Sequence, residues 1–211
     1  MMEIIKPAFF LLTAYLLGSI PFGALISKIY QTDIRKVGSK SSGATNVLRT
    51  VGKKPALLTL LGDVGKGIAA VLLGKIFLSS PSLVAGMGLV AIIGHDWPVF
   101  AKFRGGKGVA TSLGVFLILT PLPLLLTLLI WLVVLGIWRY VSLASILAGV
   151  FLPLFIWFLG GAGVLFYISL TAGLLLIYRH KSNIKRLLAG NENKLGKHVK
   201  KQNLRTGQFS P

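Results

Sequence analysis

The chain alternates long uncharged apolar runs with short stretches crowded with glycine, small hydroxyl residues and cations. Pro7–Ser27, Gly108–Trp138 and Tyr140–Tyr178 carry no Asp, Glu, Lys or Arg, and each exceeds the roughly 18 residues that mark a membrane-spanning helix. The period-2 alternation of a membrane β-barrel is absent. The pattern predicts an all-α, polytopic integral membrane protein, a single membrane domain over residues 1–211, with about seven transmembrane helices.

Breaks divide the runs. Pro21, with Gly18 and Gly23, puts a bend in the second half of the first span. Gly108–Trp138 as one helix would be roughly 46 Å long, against a hydrocarbon core of about 30 Å, so Thr120-Pro121-Leu122-Pro123 separates two helices, the first of them short. Tyr140–Tyr178 would be about 58 Å long and divides at Gly160-Gly161-Ala162-Gly163. Helices are expected at about 7–30, 55–78, 82–101, 107–119, 122–138, 142–159 and 162–179, with loops 31–54, 102–107 and 139–141 and a tail 180–211. Loop 31–54 reads as structured, with short helical parts. Beyond Lys194 no motif is recognisable, and that tail is expected to be mobile.

Charge orients this arrangement. The 23 Lys and Arg face five acids, Glu3, Asp33, Asp63, Asp96 and Glu192, for a formal charge of +18. With the N-terminus outside and the C-terminus cytoplasmic, every cation except Lys6, Lys66 and Lys75 falls on the inner face, as the positive-inside rule requires. A single span over 108–138 would instead put the cationic tail outside. No cleavable leader is expected, because the first apolar run is long and no small-x-small site precedes Lys28. The absence of cysteine excludes disulfides and thiolate chemistry. The basic loops lack interleaved aromatics, so no nucleic acid is expected as a partner, and no protein partner is implied.

Three donor-rich segments share that inner face. Gly105-Gly106-Lys107-Gly108 opens a helix, where free N–H groups and the helix dipole favour an anion. It is not a Walker loop, since the upstream glycine spacing and the hydroxyl after Lys107 are missing. Val37–Lys54 supplies small hydroxyls, glycines and the planar fork of Arg49. Arg179–Arg186 leaves the last helix with His180 and Asn183 among cations. Each alone also reads as a basic turn or flank; together they can surround a substrate with more than one phosphate.

GSIPFG (18–23), GATNVLRTVGKK (43–54), GDVGKG (62–67), GHDWPVFAKFRGGKGVAT (94–111), RYVSLASI (139–146) and NIKRLLAGNENK (183–194) occur in this order over nearly the whole chain. In these motifs the chain resembles the bacterial acyl-phosphate-dependent glycerol-3-phosphate acyltransferases, the PlsY family. The resemblance implies transfer of a fatty acyl group from acyl phosphate to the 1-hydroxyl of glycerol 3-phosphate, giving lysophosphatidic acid and phosphate, at the cytoplasmic face of a bacterial inner membrane. Both substrates are anionic and one carries an acyl chain, so a cationic site at the membrane surface suits them. Acyl phosphate is already activated, so positioning and charge stabilisation can supply much of the rate. A small transporter or flippase for an organic phosphate is the alternative, and no inverted repeat supports it.

On the matched motifs, Lys107 and Arg49 would hold phosphate, Gly105, Gly106 and Gly108 would form one backbone cradle, and Ser39, Gly43, Thr45 and Asn46 another. Ser142 and Ser145 would orient glycerol phosphate, with His180 and Asn183 closing the site. The hydroxyl proton would pass to substrate phosphate, whose second pKa is about 6, or to His180. No histidine is followed by Asp five positions on, so the HxxxxD chemistry of the other large acyltransferase class is absent. The family usually has Gly-Ser-Gly-Asn where this chain has Gly38-Ser39-Lys40-Ser41, which alters the first cradle and adds a cation. Asp63 and Lys66, three apart, are expected to form a structural pair within the membrane. His95 and Asp96 do not suffice for a metal site, and neither metal nor cofactor is expected.

Overall fold

The computed structural model describes residues 2–196, so most of the tail expected to be mobile, from residue 197 on, lies outside it. The described residues form ten α-helices and one 3-10 turn: α1 (Met2–Gly18), α2 (Phe22–Ile29), α3 (Ala44–Thr50), α4 (Lys53–Phe77), α5 (Pro81–Asp96), the 3-10 turn Val99–Ala101, α6 (Val109–Leu119), α7 (Pro121–Trp138), α8 (Val141–Gly160), α9 (Val164–Arg179) and α10 (Lys181–Leu188). Five apolar helical stretches are long enough to cross a bilayer: Ile5–Ile29, Lys53–Phe77, Pro81–Ala101, Pro121–Trp138 and Val141–Gly160. Helices α6 and α9 are apolar but shorter.

Several ends differ from those expected. The stretch 7–30 is interrupted as well as bent. Pro21 disfavours helix at Ile20, and the freed Ile20 carbonyl accepts the Lys66 ammonium at 2.9 Å. The helix expected over 82–101 stops at Asp96, and the chain turns through Val99–Ala101 and left-handed Lys102 and Phe103. Gly108, expected inside the next helix, is its cap, at φ +77. Loop 31–54 contains α3, and the tail begins with α10.

Helix α1 packs on α5, α4 on α6, α7 on α8 and α8 on α9. The α4–α6 contact runs on small residues: a side chain at Gly67 would strike Thr111 O, and one at Gly114 would strike Val64 O. Backbones that close exchange dispersion contacts without large side chains between them, the usual means of association where the solvent is lipid. Gly149 of α8 and Gly173 of α9 approach in the same way. Val71, Ile92, Val115, Phe116, Leu124 and Leu152 belong to the main buried cluster. On α7, Leu125, Leu129, Leu132 and Val133 are exposed, a continuous apolar surface suited to lipid and costly in water.

Candidate active site

The first basic loop is shaped by the buried side chain of Asn46. Its Nδ2 donates to Ile34 O, Val37 O and Ser41 O at 3.3, 3.2 and 2.9 Å, and its Oδ1 accepts the Ser39 N–H at 2.9 Å. The amide therefore staples the loop to α3. Asn46, expected among the phosphate cradle residues with Ser39, thus has its amide engaged within the loop, and the Ser39 N–H is engaged there too. The Gly43 N–H faces Ser41 Oγ at 3.4 Å. One turn beyond Asn46, Arg49 Nη2 donates to Asn193 O at 3.0 Å, while its buried Nε has no partner. Burial pulls the Arg49 guanidinium below its ordinary value, with Glu192 opposing.

The Gly105–Gly108 loop is fixed from both sides. The Gly106 N–H donates to His95 O at 3.1 Å, and Arg179 donates to Gly106 O through Nε at 3.1 Å and Nη2 at 2.7 Å. Arg179 also lies over the Trp97 ring, 5.0 Å from its centroid. A side chain at Gly106 would run into the His95 imidazole. Of the cradle expected from Gly105, Gly106 and Gly108, the Gly106 N–H is held by His95 O. What the tightly held loop presents is Lys107, whose ammonium donates to Asn183 Oδ1. Burial lowers its pKa to about 8; Glu192 opposes the shift, and Arg186, Arg49 and Arg179 reinforce it.

Glu192 is the residue that sequence reasoning missed. Its buried carboxylate accepts from Ser142 Oγ at 3.0 Å, Asn183 Nδ2 at 2.8 Å and Arg186 Nε at 2.7 Å. The segment that carries it is strapped down, with Leu195 N donating to Arg139 O at 2.7 Å and Arg139 Nη2 to Leu195 O at 3.0 Å. Glu192 is the sole acid after Asp96 in a strongly cationic stretch. That isolation was the available signal.

Two adjoining cavities meet at Lys107. The larger, about 610 Å³, has Arg49, Lys53, Lys107, Asn183 and Glu192 at its polar end and apolar walls from α6, α7, α8 and α9. Ser39, Gly43, Thr45, Asn46, Ser142 and Ser145 also line it. The smaller, about 380 Å³, is bounded by Arg35, Lys40, Arg104, Lys107 and Arg179 with Gly105 and Gly106. Lys40 joins it from a left-handed backbone position, φ +57. Ser145 Oγ donates to Val141 O at 2.8 Å and accepts from Trp131 Nε1 at 3.3 Å. Gly108 and His180 line neither cavity. His180 is buried with Nδ1 at 2.8 Å from Leu176 O, which requires the proton on Nδ1. Burial, then Lys107, lowers its pKa to about 4, so it is neutral.

Beneath the loops, Asp63 Oδ1 pairs with Lys66 Nζ at 2.9 Å and lies 3.3 Å from His95 Nδ1. Together with the Lys66 bond to Ile20 O, this links the break after α1 to the residue that holds Gly106. Among the described residues no three His, Cys, Asp or Glu side chains are grouped to hold a metal.

A cationic chamber opening into an apolar slot within a helical membrane protein defines a class that handles an amphipathic anion at the bilayer surface. The chain belongs to the glycerol-3-phosphate acyltransferase family, which residues 8–190 match. It is 46% identical over 186 residues to the glycerol-3-phosphate acyltransferase of Trichlorobacter lovleyi, covering 88% of this chain and 96% of the relative. It is 49% identical over 196 residues to that of Janthinobacterium sp., covering 90% and 98%. Two crystal structures of PlsY (YgiH), an integral membrane glycerol 3-phosphate acyltransferase, share the fold. The glycerol 3-phosphate form gives a TM-score of 0.86 at 43% identity over 90% of this chain and 96% of that one. The lysophosphatidic acid form gives 0.83 at 42% over 90% and 95%.

Proposed function

We propose that the protein transfers a fatty acyl group from acyl phosphate to the 1-hydroxyl of glycerol 3-phosphate, giving lysophosphatidic acid and phosphate, the first acylation of bacterial phospholipid synthesis. The observation that carries this reading is one continuous cavity joining Arg49, Lys107, Asn183 and Ser142 to an apolar slot. Such a cavity suits an acyl chain with its phosphate head among cations, and the second cationic hollow beside Lys107 gives room for another phosphate. Relatives named for this activity over nearly their whole length support it further.

The glycerol hydroxyl oxygen attacks the acyl carbonyl carbon, the bond from that carbon to the phosphate oxygen breaks, and phosphate leaves with the electron pair. Lys107 and Arg49 hold and neutralise the phosphates, with Ser142 and Asn183 orienting the acceptor. Developing charge at the carbonyl and on the leaving phosphate is stabilised where fixed cations act in a partly dry site. Substrate phosphate takes the hydroxyl proton, a role its second pKa of about 6 permits. His180 is poorly suited, because its Nδ1 proton is committed to Leu176 O and it lines neither cavity.

We place the protein in the bacterial inner membrane with the site facing the cytoplasm, seven crossings, the N-terminus outside and the C-terminus inside. Hydrogen bonds linking Arg49, Lys107 and Arg139 to the 183–195 segment support one shared cationic face. The test is purified protein with acyl phosphate and labelled glycerol 3-phosphate. Lysophosphatidic acid and phosphate should form in equal amounts. No product, with glycerol 3-phosphate binding or flux intact, would overturn the enzyme reading.

A further inference from the structure

The apolar slot has a definite depth. Phe116 lies nine residues on from Lys107 at the head of α6, and Leu152 ten residues along α8 from Ser142. At ~1.5 Å per residue these two independent helices put the far end about 14 to 15 Å from the polar groups. That is close to half of the ~30 Å hydrocarbon core, the reach of a single lipid tail.

The far end is also blind. Phe116, Leu124 and Leu152 line the cavity and belong to the main buried cluster, with Phe116 fully buried. Helix α6 runs only to Leu119, the chain reverses at Thr120-Pro121, and Leu124 of α7 comes beneath the slot. The reversal after the short α6 thus brings Leu124, near the start of α7, to the same cavity as Phe116. The side toward lipid is different. Leu57 and Leu60 of α4 line the cavity and are exposed, and both lie near the start of that helix. A tail can therefore slide in sideways near the head end, but its tip meets packed side chains.

We propose that Phe116, supported by Leu124 and Leu152, is the floor of an acyl-chain ruler that sets the longest straight chain the protein transfers efficiently. The proposal rests on the acyltransferase reading and adds the determinant of chain length. A chain shorter than the slot leaves apolar wall uncovered, and a longer one must fold back or displace Phe116. Each methylene in such a slot changes discrimination by about tenfold or more.

The experiment measures kcat/KM for octanoyl, dodecanoyl, palmitoyl and stearoyl phosphate in detergent micelles, with the wild type, Phe116→Ala and Ala148→Leu. Ala148 lines the slot midway along α8 and is half-buried, so the larger side chain fills cavity space and leaves the floor packing alone. Phe116→Ala should move the preference toward longer donors. Ala148→Leu should lower the palmitoyl-to-octanoyl ratio by about tenfold or more. It decides the matter even if Phe116→Ala fails to fold. Acyl transfer with the wild-type chain-length profile in Ala148→Leu would overturn the ruler and leave the acyltransferase standing. Absence of transfer from every donor in the wild type would instead overturn the acyltransferase reading.

Discussion

Replacing Lys107 by Met should make the protein more stable and nearly inactive. The ammonium is buried beside Arg49, Arg179 and Arg186, and its pKa falls from 10.5 to about 8. At about 1.4 kcal/mol per pH unit, holding that charge at neutral pH costs about 3 kcal/mol. Met has similar length and removes this cost, but it leaves the buried Asn183 Oδ1 without its donor, a loss of about 1 kcal/mol. The net gain near pH 7 is about 2 kcal/mol, or about 5 °C in Tm for a chain of this size. The sign of the pH dependence follows. Below pH 8 Lys107 is charged whether the chain is folded or unfolded, so the full cost is present. Between about pH 8 and 10.5 the folded protein holds it neutral while the unfolded chain still binds the proton, so wild-type stability rises with pH. The advantage of Lys107→Met should therefore shrink across that window. Turnover should meanwhile fall by about a hundredfold or more, since a fixed donor to developing charge is lost. The assay is thermal unfolding in detergent at about pH 7 and pH 9.5, paired with the lysophosphatidic acid assay. A variant less stable than wild type at both pH values would refute the energetic argument, and wild-type turnover would refute the substrate role.

Four other outcomes follow from the same geometry. Glu192→Gln should lower stability by about 3 kcal/mol, because Arg186 and Lys107 lose a buried counter-charge; Ser142→Ala, removing only one of its hydrogen bonds, should cost about 1 kcal/mol, both read as Tm. Gly106→Ala drives a methyl into the His95 ring; turnover should fall by about tenfold or more, with part of the loss restored by adding His95→Ala. His180 is neutral in the folded state with a pKa of about 4. Stability should therefore be lost as pH falls from about 6.5 to 4, by up to about 3 kcal/mol. A His180→Phe variant should lack that slope in acid unfolding curves.

What could be read from the sequence was whatever composition marks locally. Thr120-Pro121 and Gly161–Gly163 announce their breaks by residue type, and α7, α8 and α9 begin or end there. Arg49, Lys107, Ser142 and Asn183 stand out as cations and small polar groups beside apolar runs, and they line one cavity. What remained hidden depends on partners distant in sequence. The Gly106 N–H looks free until His95 O is seen 3.1 Å away. The contacts of the Asn46 amide with the carbonyls of Ile34, Val37 and Ser41 are likewise invisible in the sequence. The interruption at Ile20 is stabilised by a lysine on α4, which no local pattern announces. Glu192 passed as one polar residue in a basic tail because its importance lies in what surrounds it.

The position of Glu192 in the chain also bears on biosynthesis. Lys107, Ser142 and Arg49 all precede it and are made and threaded into the membrane before their acidic partner exists. A nascent chain that has not reached Glu192 carries Arg49 and Lys107 with no carboxylate between them, and Ser142 and Asn183 lack the group they bond. The site is therefore complete only once the segment after α10 lies against Ser142 and Asn183.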